Sequence, residues 1–558
     1  MQAAILDNQA AVTLNHIAER YFKLLYQQTP GQATMLGIHD YDDQLGSLDE
    51  RDLLSTAGQV RQLHGELCSL DQQGFGLRER TNYKLLRAHM ESNLIVVEEE
   101  QPWRNSPQFY VEVAVFSVFM LLIREFAPLE VRLKHAASRT RQIPALLASA
   151  RKQVQDPPQV YTEIAIETAH GGLAIFSQLL PRLAAQLNPA HAALRDEVVA
   201  ASNEAAAAIQ DFAAWLENDL LPRSNGSFRL GHDRFVRRVL QRDHMIDATP
   251  EQVLARGHAM FDETLHQLEE AAAAIDPHKT WAELIAEGSQ QHPAATDLVQ
   301  AYADETLKLR QFVIEQQLVT IPAGETLNVA ETPAFQRSII PFAAYMMPGP
   351  YDTKQEGDFW VTPVAANATP EAAMRQLSDH SWYNIPAIAA HEGYPGHHLQ
   401  LIYANKYSDD IRNQAGISSL FVEGWGLYTE QLMHETGYYS DPHMRLFQLK
   451  GQLWRAARVI IDISLHCGEM SVEEAVTFLH QNVKMSEQGA RGEVRRYTTS
   501  PGQPMSYLFG KAMILDLREE VRQREGAAFS LQAFHDRLLS SGSIQVALIR
   551  EEMMSSSN

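Results

Sequence analysis

His391-Glu392-Gly393-Tyr394-Pro395-Gly396-His397-His398, the string HEGYPGHH, is the stretch around which the rest of the chain is read. Three imidazoles and a carboxylate this close together suggest a metal site. In the zinc-hydrolase helix H-E-x-x-H, histidines at i and i+4 share a face and the intervening Glu activates a water. Here Pro395 stands at i+4 from His391. It removes an amide donor and crowds the His391 carbonyl, so a regular helix through the stretch is expected to kink or widen. Two residues then compete to be the second ligand. On an unbroken helix His398 returns to the azimuth of His391, but roughly 10 Å further along the axis. That is long for two imidazoles on one zinc at about 2.1 Å each. If Pro395 and Gly396 are instead a two-residue insertion in the motif, its closing histidine is His397. His397 is the favoured reading and His398 the alternative.

A third ligand is expected from a following helix. Phe421-Val422-Glu423-Gly424-Trp425-Gly426-Leu427-Tyr428-Thr429-Glu430 sets Glu423 and Glu430 two turns apart on one face, beside aromatics. Glu423 lies 26 residues after His397 and 25 after His398. That is about the separation of the third ligand in glutamate-type zinc peptidases, so the spacing supports a His, His, Glu site. A buried histidine with a carboxylate partner is often only structural. Here a His-Glu pair, two further histidines, a Pro-Gly break and a downstream Glu-Gly-Trp coincide, which weighs for metal.

The strings Ala390 to Gln400, Glu423-Gly424-Trp425 and Pro501-Gly502-Gln503-Pro504-Met505-Ser506-Tyr507 resemble the signatures of the bacterial family of unknown function numbered 885. Leu36 to Asp43 and Tyr345 to Asp352 extend the resemblance over most of the chain. The resemblance implies a zinc metallopeptidase, and it says little about substrate.

At 558 residues the chain can bury a large core and by length could form two or more domains. With 21% charged and 45% hydrophobic residues it reads as an ordinary globular protein. A net charge of -22 argues against nucleic acid or an anionic membrane as partner. Cys68 and Cys467 make no disulfide framework. Met1 to Ala10 lacks the basic start and long apolar core of a secretory signal, which leads to an expectation of a cytoplasmic protein. Val113 to Ile123, the longest apolar stretch, is too short for a bilayer and reads as a buried core helix.

Helical spacing recurs from Ala11 to Gln28, Leu53 to Leu70, Glu79 to Val97, Arg132 to Gln153 (divided at Pro144) and Leu194 to Glu217. Thr249 is the expected N-cap of a helix with Pro250 at its first position. Short β-branched pieces follow at Val319 to Ile321, Leu327 to Val329 and Phe359 to Thr362, enough for a small sheet before the metal motif. An edge strand there could bind an extended substrate, and a core-capping hairpin is the plainer alternative. Tyr345 to Asp352 reads as a loop over a cleft. The expected fold is therefore mostly α (α+β): a large helical protein with a small β-element around a deep cleft and a zincin-like metal site. Its expected parts are an N-terminal helical subdomain over 1–245 and a metal-binding catalytic subdomain over 246–558, as one integrated unit. Motif and helix content are similar to those of thimet-oligopeptidase-like and carboxypeptidase Taq-like zinc peptidases, by analogy alone.

Arg458, Asp462 and His466 fall at i, i+4 and i+8, a pattern read either as a surface ion-pair ladder or as a cleft-facing stripe. Tyr507, after a turn-rich loop, either donates to an oxyanion or merely packs. The leading hypothesis is a zinc hydrolase of short peptides. In it His391, His397 and Glu423 hold Zn²⁺, and Glu392 is the general base. His398 and Tyr507 stabilise the tetrahedral intermediate, and Arg458 or Arg496 grips a substrate carboxylate. The rivals are a non-catalytic metal-binding scaffold and a zinc hydrolase of non-peptide amides or esters. Nothing in the sequence sets the oligomeric state.

Overall fold

The computed structural model describes residues 2–333, 337, 340 and 342–555, with side chains from residue 11 onward. It is mostly helical with one three-stranded sheet, and it divides into two compact units, Met1–Phe228 with Gly349–Lys354, and Arg229–Pro348 with Gln355–Asn558.

The first unit is built of helices. Gln2–Gln28 ends ahead of Pro30, and Glu50–Cys68, Leu77–Ile95 and Pro107–Ile123 follow. The last of these buries Val115, Val118, Phe119 and Leu121, as its apolar run leads one to expect. Leu129–Gln153 runs through Pro144 without interruption, contrary to the expected division. It packs against the Ala-rich helix Ala192–Trp215, whose small side chains allow a long contact that outweighs one lost backbone bond. Arg139, fully buried, ties the unit together by donating to the carbonyls of Gln44 and Tyr41, at 2.8 and 3.2 Å, and to the Thr34 hydroxyl at 2.7 Å. The short piece Gly349–Lys354 joins this unit because the Tyr351 N–H donates to the Leu36 carbonyl at 3.0 Å and Arg124 pairs with Asp352 at 3.2 Å. Two of the segments that carry the family resemblance thus meet each other.

The second unit carries the elements that matter for chemistry: α1 (Pro250–Ile275), α2 (Leu298–Glu315), β1 (Thr326–Glu331), β2 (Ala343–Met346), β3 (Glu356–Val361), α3 (Ile385–Glu392), α4 (His397–Tyr407), α5 (Ser419–Glu435), α6 (Pro442–His466), α7 (Glu487–Thr499) and α8 (Gln503–Glu525). Thr249 caps α1 in a reciprocal pair with Gln252, with Pro250 at the first position. The sheet has the order β1-β3-β2, with β1 parallel and β2 antiparallel to β3. Phe359, Trp360 and Val361 bury the central strand. Two expectations are corrected here. Val319 to Ile321 is not a strand, because the Thr320 N–H is taken by the Asp536 carboxylate and the Thr320 carbonyl by the Tyr403 hydroxyl. The segment read as a loop over a cleft begins as β2, where Ala343 to Met346 finds partners in Val361 to Asp358. Among the described residues no single helix is long and apolar enough to cross a membrane.

Candidate metal centre

Helix α3 stops at Glu392 and α4 starts at His397, so the expected kink is a complete break over residues 393–396. The Gly393 N–H makes the last backbone bond of α3, to the Ala389 carbonyl at 2.9 Å. Pro395 then has no donor to offer. The break is pinned from α5, where the Trp425 indole N–H donates to the Pro395 carbonyl at 2.9 Å and the Thr429 hydroxyl to the Ala390 carbonyl at 3.2 Å. The outcome is that the His391 and His397 rings stand edge to face with centroids 4.6 Å apart.

Glu423, on α5, completes the group. Its Oε2 lies 3.7 Å from His391 Nε2 and 3.4 Å from His397 Nε2, and all three ligand atoms fall within 4.8 Å of one another. Donors on a tetrahedral ion at about 2.05 Å are about 3.3 Å apart, so the two carboxylate spacings already match a shared cation. The electrostatics agree. Burial works against a charged His391, but hydrogen bonds to Glu423 and Glu430 more than offset it and raise its proton affinity. Burial likewise pushes Glu423 up, while His391 and His397 hold it well below the usual carboxylate range. A pocket that stabilises positive charge between an anionic carboxylate and two imidazoles suits a divalent cation.

The surroundings fix the ligands in place. His391 Nδ1 donates to Glu430 Oε1 at 2.8 Å, leaving Nε2 to face Glu423. The ring lies directly over Gly426, where an added Cβ would stand 2.7 Å from it. Gly424 lets α5 approach α8 closely, a Cβ there meeting the Gly510 backbone at 2.5 Å. Glu430 shares its helix face with Glu423, a spacing visible in the sequence, but only the structure assigns it to His391. Glu392 is half-buried beside His391 and makes no side-chain hydrogen bond among the described residues.

His398 goes elsewhere, and the role at a tetrahedral intermediate expected for it is corrected. It is fully buried, with Nε2 on Glu325 Oε2 at 2.8 Å and Nδ1 on the Tyr345 hydroxyl at 3.0 Å. Glu325 also accepts from Tyr394 at 2.5 Å and from Arg310 at 2.9 and 3.1 Å. Burial pushes that carboxyl up, and the bonds from His398, Tyr394 and Arg310 outweigh it, taking it down to about 2. Adjacent histidines at the start of a helix point about 100° apart, which is why one joins the ligand group and the other does not. Glu325 carries no signal in the sequence, since it stands alone ahead of β1.

Tyr507, on α8, stacks on His391 at 6.4 Å, and its hydroxyl accepts from Gln503 Nε2 at 3.2 Å. The same Gln503 amide lies 3.3 Å from Glu423 Oε1. Burial and then the Glu423 charge push the phenol up to about 12, so it keeps its proton at neutral pH. Arg458 donates Nε to the Tyr497 hydroxyl at 2.9 Å and Nη2 to Glu493 at 3.1 Å, with Tyr507 and Trp454 against its guanidinium. Arg496 donates to Gln503 at 3.0 Å and to Glu493 at 2.9 Å. The stripe Arg458, Asp462, His466 is no surface ladder, because all three are buried. Asp462 and His466 approach to 3.9 Å, but burial pushes Asp462 up to about 7 and pulls His466 down to about 4, which disfavours the charged form of both. Instead Asp462 accepts from the Gly502 and Met505 amides and sets the start of α8, while His466 Nε2 donates to the Tyr497 carbonyl.

Fold and site together define a mostly helical protein with a His, His, Glu group that could hold a metal ion. The chain belongs to the family described as "Bacterial protein of unknown function (DUF885)", whose pattern it matches over residues 30–553. Solved structures that share its fold include two that are each named a "putative lipoprotein". "A putative lipoprotein of unknown function" from Shewanella oneidensis is 27% identical with a TM-score of 0.80, the match covering 97% of this chain and 100% of that one. "The putative lipoprotein" from Colwellia psychrerythraea is 18% identical with a TM-score of 0.83, covering 98% of each chain. Among curated proteins none matches.

Proposed function

We propose that this chain is a zinc-dependent hydrolase of the glutamate type that cleaves peptide bonds in short peptides. One observation carries the reading: His391, His397 and Glu423 converge while the carboxylate next to His391 in sequence, Glu392, has no side-chain hydrogen bond among the described residues. When bound, a zinc ion would supply a Lewis acid that makes water a usable nucleophile near neutral pH. Glu430 holds the His391 ring with Nε2 presented, which fixes its tautomer. Glu392 takes the proton of the attacking water and passes it to the leaving nitrogen. The Tyr507 hydroxyl, steadied by Gln503, is the donor at hand for the carbonyl oxygen as charge develops.

The test pairs metal analysis of the purified protein with digestion of a broad peptide library, with and without a chelator. Cleavage that chelator abolishes and zinc restores is the expected result. A zinc-replete protein that cuts no peptide, or cleavage indifferent to chelator, defeats the proposal. For location, the word lipoprotein in the names of both solved relatives supports the cell envelope over the cytoplasm expected from the first ten residues. Fractionation of cells producing the native gene product distinguishes the two.

A further inference from the structure

Beside the metal group lies a cluster of charge that the hydrolytic steps do not use. Arg458 is 4% exposed. Its Nε and Nη2 are bound, but Nη1 is screened from solvent and has no hydrogen-bond partner. A buried guanidinium N–H left unpaired is costly, and such groups are uncommon without a reason. Arg496 shares the carboxylate of Glu493 with Arg458. Arg455 lies against Trp454, 5.9 Å from the Tyr507 ring centroid. Two guanidiniums therefore share one carboxylate and a third lies against the same Tyr507 ring, in a chain whose net charge is -22. Tyr507 connects this excess of positive charge to the metal group, 4.5 Å from the Arg458 guanidinium on one side and 6.4 Å from the His391 ring on the other.

We infer that this cluster is the subsite for a substrate's free C-terminal carboxylate, with Arg458 Nη1 as its anchoring donor, so that the enzyme trims peptides from the carboxyl end. The inference rests on the hydrolase reading for its cutting step and on the Arg cluster alone for its binding step. A carboxylate supplies both the acceptor and the negative charge that the cluster lacks, and it suits a guanidinium better than a neutral amide does. Each cleavage consumes one water. Its oxygen bonds to the acyl carbon, the C–N bond breaks, and its proton ends on the released amine by way of Glu392.

The experiment measures binding by calorimetry and cleavage by mass spectrometry, using N-acetylated pentapeptides prepared in matched pairs as free acids and C-terminal amides. Binding is measured on full-length Glu392→Gln protein loaded with zinc, which removes turnover. Free acids are expected to bind about 10- to 100-fold tighter than their amides. Adding Arg458→Lys is expected to erase that preference while zinc content stays as it was. In the unaltered protein, cuts are expected at a fixed distance from the free carboxyl end. Equal binding of acid and amide, binding of neither, or cleavage of amides as readily as acids overturns the inference. A preference for acids without any cleavage leaves the subsite standing and sinks only the hydrolase reading. The acid-to-amide comparison needs no Arg458 variant, so misfolding of that variant cannot hide a negative result.

Discussion

Two histidine clusters, one residue apart in sequence, end in opposite conditions. Around His398 every position is filled: Glu325, Tyr345, Tyr394 and Arg310 satisfy one another in a closed network. Around His391 and His397 three ligand atoms lie within 4.8 Å of one another, and the Glu392 side chain makes no hydrogen bond among the described residues. The same residue types make a closed brace in one place and a convergent set of ligand atoms in the other. What separates them is whether the imidazole turns towards its own hydrogen-bond network or towards the shared Glu423.

The sharpest way to break that comparison is Glu392→Gln, which keeps shape and removes the base. Turnover by the zinc-loaded enzyme should fall by about 10²- to 10⁴-fold, with zinc content unchanged; retention of full activity would mean that the open carboxylate is idle. Alanine at each neighbouring histidine comes next. His397→Ala should lose bound zinc with modest change in folding stability. His398→Ala should keep zinc and lose roughly 1 to 3 kcal/mol in denaturant unfolding, because the buried Glu325 carboxylate and the Tyr345 hydroxyl each lose a hydrogen-bond partner. Both variants behaving alike would erase the distinction.

Acid titration probes the braced cluster by itself. The Glu325 carboxyl is lower in the folded chain than in the unfolded one, so its stabilisation is present above about pH 4.5 and fades as pH falls towards 2. Glu325→Gln should therefore flatten the stability curve in that window, by on the order of 3 kcal/mol before solvent screening; an unchanged slope would show that the network holds no net charge energy. The smallest effect is expected at the rim of the metal group, where Glu430→Gln should weaken zinc binding about 10- to 100-fold by loosening the His391 ring. Competition with a chromophoric chelator measures it, and an unchanged affinity would remove Glu430 from the site.

Much of this was legible in the residues themselves. Helical periodicity, the Thr249 cap and the role of Pro395 as a breaker follow from local rules, and the insertion argument singled out His397 because a broken helix resets the angular count. What escaped was set by distant partners. His398 was paired by Glu325, 73 residues away, and no local pattern marks a lone Glu before a strand. Val319 to Ile321 had the composition of a strand, but the Thr320 amide and carbonyl are taken by the side chains of Asp536 and Tyr403, both far away in sequence. The Arg458 stripe stayed open between a solvent-facing ladder and a cleft-facing stripe, because spacing alone does not reveal that α6 is enclosed.

The bare backbone beneath His391 has its own consequence. Since Gly426 offers the imidazole a floor with no headroom, a single methyl group placed there would tilt a ligand without altering any ligand. An inert form of this protein is thus one carbon away, and Gly426→Ala would furnish a folded control in which every functional side chain is intact and the aim of one is spoiled.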